Sequence, residues 1–349
     1  MLSDEHLMQR CIQLAQLGAG KVSPNPMVGC VIVHKNKIIG EGYHQLFGGP
    51  HAEVNAINSI ADKQMLKQSV LYVNLEPCAH FGKTPPCTNL IITHQIPKVV
   101  IGTSDPFEKV NGKGISMLKE SGVEVISKIL DSECAELNKR FFTYHIKKRP
   151  YIIIKTAHTK DGFIGITERS NTKDRHITNM AMQMYVHKMR SHEDAICAGT
   201  NTILQDNPRL DVRYYGGKKP LRVVIDRNLR IPLTYNVFDG SQPTLLVTQN
   251  ENLSLIKPSP GIEVVGIDFE NPISEVLAIL HNKKVQSLIV EGGHQLIKSF
   301  IEAGYWDEAF IIEGNKWWGA GIAMPSIHGE LVDEFEIDGD FCRHLKNNN

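Results

Sequence analysis

The chain is predicted to fold as two α/β domains in tandem, the first of them a three-layer α/β/α domain. Three observations carry this expectation. Its 349 residues compare with roughly 100–200 for a typical domain, so two cores fit where one would be oversized. Short runs rich in Val, Ile and Leu alternate with amphipathic stretches of helical period through both halves, the pattern of helices packed on a parallel or mixed sheet. Between the halves stands Lys147-Lys148-Arg149-Pro150, where proline ends a helix and a new strand opens at Tyr151. The expected domains are therefore residues 1–147 and 148–349, with the charge run as a solvated linker.

The elements follow in order. Ser3 before Asp4 and Glu5 reads as a helix N-cap, Leu7, Cys11, Ile12, Leu14 and Ala15 give one apolar face, and Gly18 ends it. Residues 30–33 and 38–43 form a hairpin, and Pro50 opens a helix through His51, Glu53, Val54 and Ile57. Strand 70–75, a helix near 87–94, strand 99–102, a helix near 115–120, strand 123–126 and one helix over 131–145 complete the first half. The second half alternates again, with strands at 195–198, 222–226, 244–248 and 287–290. Helices are expected at 180–190, 273–281 and 295–303, with a last strand near 308–312 and a frayed tail at Asn347-Asn348-Asn349.

Composition excludes several function classes. Lys+Arg and Asp+Glu number 38 each, so the formal charge is zero and a protein devoted to neutralising nucleic acid or an anionic membrane is not expected. Apolar residues make up 42%, the globular norm, and no apolar run approaches the roughly 20 residues of a membrane helix. No signal peptide is visible at the N-terminus. Seven cysteines without a dense framework point to a reducing compartment, with the cytoplasm as the expected location.

Two of those cysteines belong to a constellation: His51-Ala52-Glu53, Pro77-Cys78 and Cys87. One imidazole and two thiolates suit zinc, and three protein ligands leave a fourth tetrahedral position for water, the mark of a catalytic site. Zinc draws that water's pKa toward neutrality, and Glu53, one residue past a ligand in the first turn of a helix, is placed to carry its proton. Zinc deaminases carry His-x-Glu followed by Pro-Cys-x-x-Cys. Here the second cysteine lies nine positions after the first, so the match is to that class with an enlarged loop. Gly82-Lys83-Thr84 imitates the end of a phosphate-binding P-loop, but the first glycine of that motif would fall on Pro77, so the motif is absent.

Longer segments make the likeness specific. Residues Pro24-Asn25-Pro26-Met27-Val28-Gly29, Gly42-Tyr43-His44, His51-Ala52-Glu53-Val54 and the run from Leu75-Glu76-Pro77-Cys78 through Lys83 to Pro85-Pro86-Cys87 closely resemble the bifunctional deaminase/reductase family of riboflavin biosynthesis. The resemblance implies a cytidine-deaminase-like first domain that hydrolytically deaminates a pyrimidine carrying a ribose 5-phosphate. It also implies zinc on His51, Cys78 and Cys87, Glu53 as the proton shuttle, and substrate contacts from Asn25, His44 and Lys83.

The second half alone offers less. No Gly-x-Gly-x-x-Gly follows a strand, and the one notable feature is strand 287–290 running through Glu291-Gly292-Gly293 into a helix, whose N-terminal N–H groups suit a phosphate. Lys155, Asp161-Gly162, the stretch from Ala198 to Leu210, Val224-Ile225-Asp226 and Glu291-Gly292-Gly293 resemble the reductase domain of the same family. That implies a dihydrofolate-reductase-like fold and hydride transfer from NADPH to the ribosyl carbon of the deaminated product. By the same resemblance NADPH would meet Ala157, His176, Thr202, Asp206, Arg227 and the segment Gly293, His294, Gln295, Leu296, Ile297, Lys298 and Ser299. Substrate would meet Asp174, Arg190, Leu210, Arg213 and Glu291, with the two arginines as bidentate phosphate partners.

Three departures from the family pattern stand out. Its Ser-x-Trp-Ile-Thr stretch is Asp174-Arg175-His176-Ile177-Thr178 here, Arg227 replaces a serine after Asp226, and Phe107 replaces an asparagine after Asp105-Pro106. The expected partner is a small phosphorylated pyrimidine, with no nucleic acid or membrane, and a homo-oligomer is left open. The alternative reading is a zinc deaminase of tRNA or nucleosides with a degenerate, non-catalytic second domain; neutral charge and few interleaved aromatic and basic residues count against it.

Overall fold

In the computed structural model, residues 2–79, 85–108, 110–166, 176–255 and 260–348 are described. They form two compact units, 1–147 and 148–349.

The first unit contains α1 (Asp4–Gln16), β1 (Gly29–His34), β2 (Lys37–Tyr43), α2 (Ala52–Asn58), β3 (Ser69–Leu75), α3 (Cys87–Thr93), β4 (Lys98–Thr103), α4 (Lys113–Glu120), β5 (Glu124–Ser127), α5 (Asp131–Leu137) and α6 (Lys139–Lys147). Ser3 caps α1 as expected, its Oγ accepting the His6 N–H at 3.3 Å. The hairpin turns through Lys35 and Asn36, both with positive φ, the geometry that matches strand twist. The sheet runs β2-β1-β3-β4-β5, antiparallel on its hairpin side and parallel from β3 to β5. Successive residues of β1 feed opposite cores: Cys30 and Ile32 pack with Ala56, Ile57, Ile91 and Leu118, while Val31 and Val33 pack with Leu7, Met8, Cys11 and Cys134. That period of two makes the three layers.

The single helix expected over 131–145 is instead two, α5 and α6, broken at Asn138. The cause is tertiary. Asn138 is 2% exposed, its Oδ1 accepts the Met27 N–H at 2.7 Å and its Nδ2 donates to the Met27 carbonyl at 2.9 Å. The side chain completes the backbone pairing of a segment 111 residues away.

The second unit contains β6 (Tyr151–Thr159), β7 (Phe163–Gly165), α7 (Met180–His192), β8 (Ala195–Gly199), α8 (Thr200–Asp206), β9 (Leu221–Ile225), β10 (Thr244–Gln249), β11 (Ile262–Ile267), α9 (Pro272–Asn282), β12 (Ser287–Val290), α10 (His294–Glu302), β13 (Glu308–Gly314), β14 (Ile322–Ala323), β15 (Glu330–Ile337) and β16 (Asp340–Lys346). Nine strands align as β11-β10-β9-β8-β12-β6-β13-β16-β15, parallel from β11 to β13 and antiparallel beyond. α9 and α10 cover one face through Val276, Leu280, Ile297 and Phe300. Ile203, Leu210, Val237 and Phe238 cover the other.

Two further expectations are corrected. Arg149 is no part of a solvated linker: it forms a two-pronged pair with Asp307 at 2.6 and 2.9 Å, the two side chains only 11% and 8% exposed. The tail is not frayed at Asn347, whose N–H donates to the Asp307 carbonyl and whose Nδ2 donates to that of Trp306.

Candidate active sites

In the first unit three elements converge. His51 is the N-cap residue of α2, Cys78 lies in the loop after β3, and Cys87 opens α3. Gly42 lets α2 lie this close to β2, since a Cβ there would meet the Ala56 nitrogen at 2.3 Å. His51 Nδ1 lies 3.6 Å from Cys78 Sγ and 3.3 Å from Cys87 Sγ, and all three donor atoms fall within 4.8 Å of one another. The Cys87 N–H donates to Cys78 Sγ at 3.3 Å, a contact that favours thiolate.

The two thiols influence each other strongly. Cys78 is pulled down to about 4, first by its hydrogen bond with Cys87 and then by His51, while Cys87 is pushed up by the same contact and by burial. A soft, electron-rich pair with an imidazole is a donor set that fits zinc. Glu53 is 3% exposed beside Cys87, and burial holds its carboxyl above the ordinary range.

His44 and Asn25 stand beside this cluster. His44 Nδ1 meets the Pro50 carbonyl at 2.9 Å, so that nitrogen carries the hydrogen and Nε2 accepts from Asn25 Nδ2 at 3.0 Å. Burial lowers the His44 pKa and keeps the ring neutral, edge-on to His51 at 5.6 Å between centroids. Lys83 lies outside the described residues.

Two acids here escaped sequence reasoning. Glu76 is buried and its carboxylate accepts from the backbone of Asp105, Gly112, Gly114 and Ile115 at 2.9–3.2 Å, tying the Pro77-Cys78 loop to the start of α4. Asp105 is pushed up to about 7, first by burial and further by Glu76 and Cys78. Only the Asp105-Pro106 pair at the end of β4 hinted at it.

In the second unit two clefts adjoin. One, about 670 Å³, is lined by Thr200, Arg227, Arg230, Phe269, Gln295, Leu296 and Ser299 among others. The other, about 360 Å³, is lined by Lys155, Ala157, His176, Asp206, Glu291 and Trp318 among others. Thr202, Gln205, Gly293, His294 and Ile322 line both. Gly293 is the N-cap of α10, so first-turn N–H groups of that helix border the junction, where anions bind well. With the Arg227 and Arg230 guanidiniums on the larger cleft, these residues fit a phosphorylated dinucleotide.

The smaller cleft ends on a buried ionic triad. Glu291 accepts from both Arg190 Nε and Nη2, the latter at 2.8 Å, and from Lys155 Nζ at 3.1 Å. The two cations outweigh burial and hold the Glu291 carboxyl well below the carboxylate range. Arg190 is thereby committed, with its Nη1 donating to the Asp211 carbonyl. Arg213 is freer, its side chain 40% exposed, paired with Asp211 and lying over Tyr214. Between the arginines His187 is brought down to about 4, by burial first and then by Arg190 and Arg213.

Three other expected residues are not among those lining the two clefts. Leu210 is 4% exposed within the core, Ile297 is fully buried in the opposite core, and Lys298 pairs with Glu302 on the outer face of α10. Asp174 lies outside the described residues. Asp226, near the larger cleft's floor, accepts from Thr200 Oγ1 and the Ile231 N–H and so shapes the turn.

Comparison with known proteins accounts for both units. Residues 1–103 match the cytidine and deoxycytidylate deaminase zinc-binding region, and residues 150–346 match the RibD C-terminal domain. The riboflavin biosynthesis protein RibD of Aquifex aeolicus is 36% identical over 95% of this chain and 92% of its own. That of Bacillus amyloliquefaciens is 38% identical over 94% of this chain and 88% of its own. The crystal structure of a diaminohydroxyphosphoribosylaminopyrimidine deaminase/5-amino-6-(5-phosphoribosylamino)uracil reductase from Thermotoga maritima superposes with a TM-score of 0.88 at 34% identity, covering 99% of this chain and 98% of that one. With both halves matched and nearly the whole length shared, the chain belongs to the RibD family of riboflavin biosynthesis proteins.

Proposed function

We propose that this chain runs two successive reactions of riboflavin biosynthesis, each in its own unit. The first is hydrolytic deamination of 2,5-diamino-6-(5-phosphoribosylamino)pyrimidin-4(3H)-one, in which water replaces an amino group and ammonia leaves. The second is reduction of the ribosyl group by NADPH to give 5-amino-6-(5-phosphoribitylamino)uracil. The observation that carries the reading is the convergence of His51 Nδ1, Cys78 Sγ and Cys87 Sγ within 4.8 Å, with buried Glu53 beside Cys87.

His51, Cys78 and Cys87 would hold the zinc, which supplies Lewis acidity to activate water. Glu53 takes the water's proton and returns it to the leaving nitrogen. His44 fixes the Asn25 amide, whose remaining N–H and carbonyl oxygen then face the pyrimidine; Lys83 is assigned to the substrate phosphate by family likeness. In the reductase, the α10 N-terminus, Thr202, Ser299 and Arg227, all bordering the larger cleft, would hold NADPH, which would supply the hydride. Lys155 and Glu291 hold the sugar in the smaller one. Arg190 is better described as orienting Glu291, which leaves Arg213 as the phosphate contact. Seven free thiols, two of them needed as thiolates, support a reducing compartment, the cytoplasm.

Glu53→Gln tests the two-site reading. It should cut deamination by about 10²–10⁴-fold, keep zinc, and leave NADPH oxidation intact when the deaminated intermediate is supplied. Gly293→Val should do the reverse, because a Cβ there already meets Thr202 Oγ1 at 3.0 Å at the junction of the clefts. Loss of both activities in the Glu53 variant would mean one shared site.

A further inference from the structure

The segment joining β13 to β14 is held more firmly than a connecting loop requires. The backbone N–H groups of Trp318 and Gly319 donate to Asp161 Oδ2 at 3.1 and 2.6 Å, and Thr159 Oγ1 donates to Oδ1. The Lys160 N–H donates to the Lys316 carbonyl at 2.8 Å, the Lys316 ammonium donates to the His176 carbonyl, and the Met324 N–H donates to the Gly162 carbonyl at 3.0 Å. Beyond it, β14 pairs with β7. Both ends of the segment are thus fastened to the turn that follows β6.

Two adjacent tryptophans then part company. Trp317 is 72% exposed, whereas Trp318 is half-buried and lines the 360 Å³ cleft. Trp318 belongs to none of the buried apolar clusters among the described residues. With its backbone anchored, Trp318 has only two side-chain torsions left to settle in order to offer a flat apolar face, so little entropy is lost when a ring stacks on it. It borders the cleft that holds Lys155 and Glu291 and is absent from the lining of the larger cleft.

We propose that Trp318 is the stacking surface for the pyrimidine ring of the reductase substrate, and that Asp161 is the positioning residue that sets the indole in place. The proposal rests on the two-cleft reading given under Proposed function. Trp318 is assigned to the pyrimidine because it lines only the cleft that ends on Lys155 and Glu291. Ala157, His176 and Asp206, which family likeness gives to NADPH, line that cleft as well, and the separate KM values for the two ligands distinguish the rings.

The test is steady-state kinetics of the reductase step on the full zinc-loaded chain, with the deaminated intermediate supplied directly. Trp318→Ala should raise KM for the intermediate about tenfold, the worth of one ring stack, while KM for NADPH stays within twofold and Trp318→Phe recovers most of the loss. Asp161→Ala should also raise it, and the double variant should be no worse than Trp318→Ala alone, because Asp161 acts through the indole. Independently of turnover, in a Trp317→Phe background the intermediate should quench tryptophan fluorescence, and the further Trp318→Phe change should remove that quenching. An unchanged KM for the intermediate in an active Trp318→Ala enzyme overturns the proposal alone, as does a rise confined to the KM for NADPH. A wild-type chain that neither binds nor reduces the intermediate overturns the cleft reading and this proposal with it.

Discussion

The two units build their sites by opposite means. In the deaminase unit three donors come from the starts of α2 and α3 and the loop after β3, the central strand of a five-stranded sheet, and His51 and Cys87 lie 36 residues apart. In the reductase unit the groups that meet are Arg190 and Glu291, 101 apart, and Lys155 and Glu291, 136 apart. A metal needs a few atoms at fixed short range, and loop-borne residues can supply them. A dinucleotide and a sugar need a long trough, here bordered by the carboxyl ends of the inner parallel strands β8, β9 and β12. Charge is handled differently as well. The first site sets groups of opposed tendency side by side, Cys78 driven toward thiolate and Cys87 and Glu53 toward their protonated forms; the second neutralises a buried carboxylate between two fixed cations.

The largest expected effect tests whether the first site is as local as it looks. Cys87→Ser should abolish both stoichiometric zinc and ammonia release, and His51→Ala and Cys78→Ser should match it, while NADPH oxidation continues. Metal analysis of the purified variants settles the point: full zinc in Cys87→Ser would mean that a different third donor completes the site.

Next in size comes Arg190→Ala. Removing one partner of a buried pair leaves Glu291 with Lys155 alone and costs about 3–5 kcal/mol. The second unit should therefore melt early in a denaturant titration with the first unit unaffected. Arg213→Ala should instead fold normally and weaken only the phosphorylated intermediate, by about ten- to a hundredfold in kcat/KM, since a hydrogen bond to a charged group is worth roughly 1.5–3 kcal/mol. Added salt should mimic part of the Arg213 effect, as that side chain is 40% exposed. Equal, purely kinetic losses in the two variants would show that both arginines grip phosphate and that Glu291 is held by Lys155.

The same contrast explains what the sequence made legible. The cluster of His51, Cys78 and Cys87 with Glu53 could be read because its members stand in short motifs, His51-Ala52-Glu53 and Pro77-Cys78, that carry their own side-chain signature. The role of Glu76 could not, because its partners are backbone N–H groups between Asp105 and Ile115 and carry no side-chain signature. The break at Asn138 was hidden for a related reason: helical period continues across it, and its partner is Met27. The closing hairpin β15–β16 was missed because β15 reads Glu-Leu-Val-Asp-Glu-Phe-Glu-Ile, an acidic edge strand exposed along most of its length rather than an apolar alternation. The ionic triad needed the fold itself, since nothing local to Lys155, Arg190 or Glu291 announces the other two.

The smallest expected effect separates likeness by sequence from likeness by position. Family resemblance marks residues 293–299 as one cofactor-binding run, yet a helix turns each successive side chain by about 100° and cannot aim seven of them at one ligand. Gly293, His294, Gln295, Leu296 and Ser299 border the larger cleft, Ile297 points into the core, and Lys298 pairs with Glu302 at 3.6 Å on the solvent side, both side chains more than half exposed. An exposed i,i+4 pair is worth only about 0.3–0.5 kcal/mol. Lys298→Ala should accordingly leave the Kd for NADPH within about twofold. Ser299→Leu, one residue on and facing the cleft, should raise it clearly by filling space that the cofactor needs. Measured as NADPH titrations on the two variants side by side, a Lys298→Ala loss equal to that of Ser299→Leu would mean that the cofactor's phosphates lie over the outer face of α10, and the trough between α8 and α10 would lose its claim to the dinucleotide.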